Sequence, residues 1–313
     1  IEGFETMAKL SDAPVIVIEG DEYLSSPIDR RPKFLHYHPH VALISGIAWD
    51  HINVYPQFED YVHQFELLAQ DLPKSGSLIY DETDSLVNTL GQKEYADIQK
   101  YAYKAHPAVV RNGKTFLQLP DKKELAIEVF GDHNLKNLNG ARLILSQIGI
   151  EDEQFYEAIA SFKGAAKRLE LVGQNDETVF YRDFAHAPSK VEATTKALKG
   201  QYPNRHLVAC LELHTFSSLN KNFLKEYAHK LDGADTAVVY FSPKTLEHKK
   251  MPALSVEEVK ANFANSNLEV FTDNQSLKTF LLSKRWRGSN LLMMSSGTFD
   301  GLDFKELSSQ ILS

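Results

Sequence analysis

Apolar and polar positions along the chain follow two rhythms. The runs PVIVIE at 14–19, HVALISGI at 40–47 and GSLIY at 76–80 are continuously apolar or β-branched, the pattern of strands buried on both faces. Between the last two, Tyr61, Val62, Phe65, Leu68 and Ala69 recur at helical spacing, and Pro73 marks the stop. Strand, helix and strand in this order predict a parallel sheet covered by helices. From 98 to 129 the segments shorten and alternate. There Asn112-Gly113, between AVVR and KTFLQL, predicts a hairpin in a small antiparallel patch. Helices are expected at 134–149 and 151–162. After Arg168 the strands RLELVG, VFYRDF, HLVACLEL, TAVVYF, LEVFTD and NLLMMS alternate with helices expected near 189–200, 220–232, 255–264, 275–284 and 303–312. This second part reads as a self-contained open α/β sheet, so the expected domains are 1–165 and 166–313.

Composition narrows the class. The chain has 313 residues, enough for two domains at roughly 150 residues each. It carries 34 Lys and Arg against 42 Asp and Glu, a net charge of −8. That balance argues against nucleic-acid binding, which needs a basic face. No window holds about eighteen uncharged apolar residues, so no membrane insertion is expected. A single cysteine, Cys210, allows no internal disulfide and agrees with a reducing, cytoplasmic setting.

Several clusters carry candidate chemistry. Gly113-Lys114-Thr115 imitates the end of a phosphate loop, but the glycine that the pattern needs is Ala108 and the context is a hairpin. Glu19-Gly20-Asp21-Glu22 ends the first apolar run, where open α/β sheets bind ligands, and fits either a Mg²⁺ site or an acidic turn. His51 follows the next run, so two parallel strands would bring Glu19 and His51 to one sheet edge. Asn134 and Asn137, three apart after His133, fit either adenine recognition or helix capping. Arg168 fits a phosphate contact and Asp183 a ribose contact, each against surface ion pairing as the alternative.

Taken together and in order, these segments resemble the Mur ligase family, ATP-dependent enzymes that join amino acids or peptides to UDP-N-acetylmuramate. EGDEY is similar to the family's E-A-D-E segment, which implies Glu19 as a Mg²⁺ ligand. WDH matches the segment whose histidine, here His51, helps hold the metal. GDHNLKN is similar to G-x-H-N-x-x-N, implying that Asn134 contacts adenine with His133 and Asn137 supporting the helix start. The resemblance further implies a phosphate contact from Arg168 in KRLE, a ribose contact from Asp183 in RDFAHAP, and a nucleotide-site role for His186. The segment at 29–37, DRRPKFLHY, resembles an insertion in the peptidoglycan-recycling branch, whose acceptor is the tripeptide L-alanyl-γ-D-glutamyl-meso-diaminopimelate. The branch that adds L-alanine has a shorter connection there, and the helix at 58–72 lacks the lysine of other branches.

The resemblance implies a central ATP-binding domain with a mostly parallel sheet, then a Rossmann-like ligase domain. It also implies a monomer or weak homodimer. Its phosphate loop and UDP-binding domain are expected before Ile1, so residues 1–313 alone are expected to show little activity. Some motifs depart from the family. H-H-P is His186-Ala187-Pro188, and the peptide segment L-E-P-R-S-N-T is LELHTFS, placing His214, Thr215 and Ser217 in it without its arginine. The glycine loop S-N-G-G-F-G-G is SSGTFDG, keeping Gly297 and Gly301.

Overall fold

The computed structural model describes residues 8–49, 52–95 and 97–313. The chain divides into two compact units. The first comprises residues up to His106 with Lys136–Ala158, and the second Pro107–Leu135 with Ile159–Ser313.

In the first unit, β1 (Val41–Ile44), β2 (Ser77–Asp81) and β3 (Gln99–Tyr103) form a parallel sheet in that order. Helix α1 (Phe58–Gln70) buries Tyr61, Phe65, Leu68 and Ala69, the stripe read from the sequence, against Ala42, Ile44, Leu78 and Tyr80. Helix α2 (Ser85–Gln92) starts where the Asp84 carboxylate accepts the N–H groups of Leu86 and Val87, both at 3.0 Å. Gly91 of α2 lies against Tyr80, and a Cβ there would sit 2.4 Å from the ring. Most of helices α3 (Asp132–Ser146) and α4 (Asp152–Ala160) also belongs to this unit, the start of α3 and the end of α4 counting with the second.

Two expectations fail in this unit. The run 14–19 forms no strand, and Val15, Ile16, Val17 and Ile18 are 45%, 63%, 79% and 46% exposed. An apolar run becomes a buried strand only where neighbours offer ladder partners and cover both faces. The described residues give 14–19 no such partner, and the sheet stops at β1. Conversely, Gln99–Tyr103 joins the parallel sheet as β3 and takes no part in the antiparallel patch.

That patch belongs to the second unit: β4 (Ala108–Arg111), β5 (Lys114–Gln118) and β6 (Glu124–Ile127), all antiparallel. Asn112 and Gly113 turn the hairpin with φ of 52° and 73°, so Gly113-Lys114-Thr115 is a turn and strand start. The larger sheet has the order β11-β10-β9-β12-β8-β7 and is parallel except for β7. Its elements in chain order are β7 (Glu170–Gln174), β8 (Val179–Asp183), α5 (Pro188–Gln201), β9 (His206–Leu213), β10 (Thr236–Phe241), α6 (Pro243–His248), α7 (Val256–Phe263), β11 (Leu268–Phe271), α8 (Asn274–Leu282), β12 (Ser289–Met294) and α9 (Phe304–Leu312). One face packs Phe180, Val208, Val238, Leu291 and Met293 against Leu277 and Leu281 of α8 and Leu307 and Ile311 of α9. The helix expected near 220–232 is a 3-10 turn, Leu224–Tyr227, which ends where Ala228 takes ψ of 126° and His229 a left-handed φ of 64°. Among the described residues no helix is long and apolar enough to cross a membrane.

Strand β12, late in the sequence, lies between β8 and β9. The chain leaves β9 towards β10 on one side, whereas β12 was reached by crossing back. Such a reversal opens a crevice at the carboxyl ends of the strands, where open α/β sheets hold ligands.

Candidate functional site

The acidic segment after 14–19 is held by its own basic residues. Lys33 Nζ donates to Asp21 Oδ2 at 2.6 Å, and Arg31 grips Asp29 through Nε at 3.0 Å and Nη2 at 2.7 Å. His36 Nε2 lies 3.3 Å from the same carboxylate. The Arg31 contacts hold the Asp29 carboxyl well below the usual range. Phe34, 4% exposed, anchors the segment on α1 with its ring 5.5 Å from that of Phe65. Tyr55, its hydroxyl donating to the Glu22 carbonyl at 2.7 Å, has its pKa pushed up to about 12, mainly by burial.

Glu19 is exposed and does not end a strand, so the expected pairing of two strand ends is not formed; His51 lies outside the described residues. Among the described residues no three His, Cys, Asp or Glu side chains cluster closely enough to hold a metal ion. A buried carboxylate that sequence reasoning passed over, Asp81, stands at the end of β2. It is 1% exposed, accepts from Thr83 N at 2.8 Å and lies 3.2 Å from Lys136 Nζ in the first turns of α3.

Gly131 has φ of 89°, and a Cβ on it would lie 2.4 Å from Ala197 Cβ on α5. The start of α3 is therefore set by close backbone approach to that helix. The Asn134 amide donates to the Phe130 carbonyl at 2.9 Å, and the Phe130 ring meets Tyr181 edge-on at 5.4 Å. His133 is half-buried and Asn137 exposed on the same helix.

Arg168 sits in a turn flanked by two left-handed residues, Lys167 (φ 58°) and Leu169 (φ 41°). Asp183, at the end of β8, closes this turn: Oδ2 accepts from Leu169 N and Oδ1 from Ala185 N, each at 2.6 Å. Burial raises the Asp183 pKa, against the lowering effect of these two N–H donors. The Arg168 guanidinium rests 5.3 Å from the Phe184 ring, whose other neighbour is the His186 ring at 5.2 Å. His186 Nδ1 donates to the Phe184 carbonyl at 2.8 Å.

At the crevice between β9 and β12, Glu212 is 1% exposed. Its Oε2 accepts from the Ser295 hydroxyl and from Phe299 N, the latter at 2.8 Å, while Oε1 lies 3.6 Å from His214 Nδ1. Ser295 Oγ in turn accepts from Gly297 N at 2.6 Å, and Ser295 N donates to the Asp183 carbonyl at 3.0 Å. A Cβ on Gly297 would lie 2.7 Å from the His214 ring. Thr215 is occupied with Ser218, their backbone and hydroxyl groups bonding reciprocally at 2.9 and 3.1 Å, and Ser217 is buried beside them. Gly301 takes φ of 82° at the far end of the loop. The second unit thus brings Arg168, Asp183, His186, His214 and Gly297 to the carboxyl ends of three adjacent strands. Glu212 was not among the residues expected from the sequence; its signals are an acid inside the apolar run HLVACLEL and its match to the glutamate of L-E-P-R-S-N-T.

Two family models account for most of the chain. The Mur ligase middle domain matches residues 4–145, and the Mur ligase glutamate ligase domain matches residues 167–297. The chain belongs to the Mur ligase family. Among Mur ligase relatives, it is 28% identical to the UDP-N-acetylmuramate–L-alanyl-γ-D-glutamyl-meso-2,6-diaminoheptandioate ligase of Haemophilus influenzae, across 97% of this chain and 67% of that one. The Escherichia coli ligase of the same name is 26% identical over 97% of this chain and 66% of its own. The UDP-N-acetylmuramate–L-alanine ligase of Desulfitobacterium hafniense is 25% identical over 89% and 64%. The chain therefore spans about two thirds of the length of these relatives. The Mur ligase fold is shared with a murein peptide ligase from Psychrobacter arcticus, with a TM-score of 0.59 and 20% identity over 94% of this chain and 62% of that one. It is also shared with MurF from Acinetobacter baumannii, at 0.67 and 15% over 89% and 61%.

Proposed function

We propose that the chain serves an ATP-dependent carboxylate–amine ligase that joins L-alanyl-γ-D-glutamyl-meso-diaminopimelate to UDP-N-acetylmuramate in the bacterial cytoplasm, for peptidoglycan recycling. The observation that carries this reading is the segment from Asp21 to Tyr37, folded on α1 by Phe34 and locked by the Lys33–Asp21 and Arg31–Asp29 pairs. It contains 29–37, the stretch that resembles the insertion of the tripeptide branch, and relatives with that activity in their names align over 97% of the chain. The domain division at 1–165 and 166–313 is supported by the gap between the two family matches.

In this reading the lactyl carboxylate attacks the γ-phosphorus of ATP, giving an acyl phosphate and ADP. The tripeptide amine then attacks the acyl carbon, and the tetrahedral intermediate collapses with loss of inorganic phosphate and a proton. The protein's share is positioning and charge stabilisation. Arg168, presented on the Phe184 ring, is the cation for phosphate. Asn134 serves adenine, with His133 and Asn137 supporting the helix start. Asp183 and His186 line the ribose side, and His214, Thr215, Ser217, Gly297 and Gly301 form the acceptor end. The described residues do not assemble a Mg²⁺ donor set, so the assignment of Mg²⁺ to Glu19 and His51 rests on the resemblance.

The test is ADP release by the full-length protein with UDP-N-acetylmuramate, offered tripeptide and L-alanine in competition. Preference for tripeptide supports the reading. Use of L-alanine alone replaces it with the L-alanine ligase activity named for the Desulfitobacterium relative. ATP binding without turnover on either acceptor makes the protein a nucleotide- or muropeptide-binding protein.

A further inference from the structure

The loop after β12 holds an unusual backbone. Phe299, Asp300 and Gly301 take φ of 51°, 52° and 82° in succession. For a bulky residue such as Phe299 the left-handed region is strained, and it persists only where the surroundings impose it. Two restraints do so. The Phe299 ring is fully buried, 5.8 Å from Tyr240 and 5.9 Å from Phe304, and its N–H is taken by Glu212 Oε2. Asp300 is held separately, by the Tyr240 hydroxyl at 2.9 Å.

We propose that Glu212 is a positioning residue for the acceptor end of the site, setting the Ser295–Gly301 loop through one carboxylate oxygen that receives Ser295 and Phe299 together. This rests on the function proposed above. The chain of bonds runs from Gly297 N–H to Ser295 Oγ, from the Ser295 hydroxyl to Glu212, and back from Phe299 N–H, so the first residue of the loop and its left-handed Phe299 meet at one atom. The other oxygen of this carboxylate, Oε1, lies 3.6 Å from His214 Nδ1 at the end of β9, and a Cβ on Gly297 would lie 2.7 Å from the His214 ring and 2.8 Å from Glu212 Oε2, so the loop position and the His214 ring position are mutually dependent. A buried carboxylate is costly unless its oxygens find donors, and here one hydroxyl and one backbone N–H both serve Oε2.

The test uses the full-length enzyme. Glu212→Ala is expected to raise the acceptor KM about tenfold or more, leaving the KM for ATP within about twofold. Glu212→Gln keeps an accepting oxygen and is expected to recover most of that loss. Ser295→Ala, which cuts one of the two bonds, is expected to give a smaller rise, and adding it to Glu212→Ala should cost nothing further. Amide hydrogen exchange at Gly297 and Phe299 is expected to speed up in Glu212→Ala, relative to β10 amides. An unchanged acceptor KM, an equal rise in the KM for ATP, or unchanged exchange at those two amides overturns the proposal. If the wild-type enzyme turns over no acceptor, the proposed function fails, and the exchange comparison alone still decides whether Glu212 sets the loop.

Discussion

The Asp183 carboxylate closes the Arg168 turn by accepting the Leu169 N–H at 2.6 Å, and its other oxygen takes Ala185 N–H at the same distance. An aspartate expected to address a ribose is thus already committed to backbone, and it shapes the left-handed turn from which Arg168 projects. Asp183→Ala is expected to destabilise the protein by about 1–3 kcal/mol, the cost of leaving buried N–H groups unmet. That corresponds to a fall of roughly 2–4 °C in Tm per kcal/mol for a domain of this size. Weakened ADP binding in titration calorimetry should accompany the loss.

The same carboxyl gives a pH signature. Burial raises its folded pKa above the ordinary value, so the folded state holds the proton more tightly than the unfolded chain. This group therefore stabilises the fold most below the unfolded value of 3.8, and the contribution is lost as pH rises through the folded value. Carbon-detected titration of Asp183 should show a midpoint above 3.8. A midpoint below it would mean that the two N–H donors outweigh burial.

Asp29 behaves oppositely. Arg31 lowers its folded pKa from 3.8, so its contribution is present above that value and is lost as pH falls through the folded one. At pH about 3, where an ordinary aspartate is largely protonated, the Asp29 carboxylate should remain ionised. Arg31→Ala should raise its titration part of the way towards the ordinary range, because the backbone N–H of residue 31 still donates to the carboxylate.

Removing Lys136 leaves Asp81 as a buried carboxylate, 1% exposed, without that cation. Lys136→Met is expected to cost about 3–5 kcal/mol in denaturant unfolding, and the double variant with Asp81→Asn should recover part of it. Equal losses in the single and double variants would show that the pair is not coupled.

Gly131→Ala meets two obstacles, the φ of 89° and the Ala197 methyl 2.4 Å from the new Cβ. A loss of about 1–3 kcal/mol is expected. Pairing it with Ala197→Gly should relieve the clash and leave the backbone strain, so only partial recovery of Tm is expected.

What the sequence showed and what it hid divide along physical lines. The Asn112-Gly113 hairpin was legible because its turn demands two left-handed residues in a row, a requirement few dipeptides meet. Strands β9, β10 and β12 were legible because both their faces are covered, and α1 because one face is. The run 14–19 misled because burial belongs to the neighbours as much as to the segment. Helix α2 escaped notice because eight residues carry too short a period, and its real start signal is a single capping side chain, Asp84. In the candidate site, the motif positions Arg168, Asp183 and His186 were named at once, but their supports were not. Glu212 meets Ser295 and Phe299 across 83 and 87 residues, a pairing that no local pattern records.

The place of β12 between β8 and β9 also governs when the second unit can form. As the chain leaves the ribosome, β8 and β9 emerge more than seventy residues before the strand that joins them, at Ser289–Met294. Until then each presents an unpaired edge, the kind of surface that recruits other chains. A premature stop upstream of Ser289 would remove a central strand together with Ser295 and Gly297, leaving two sheet fragments with sticky borders. Such a truncation is a hazard for a chaperone to clear, and the nascent protein passes briefly through the same state each time it is made.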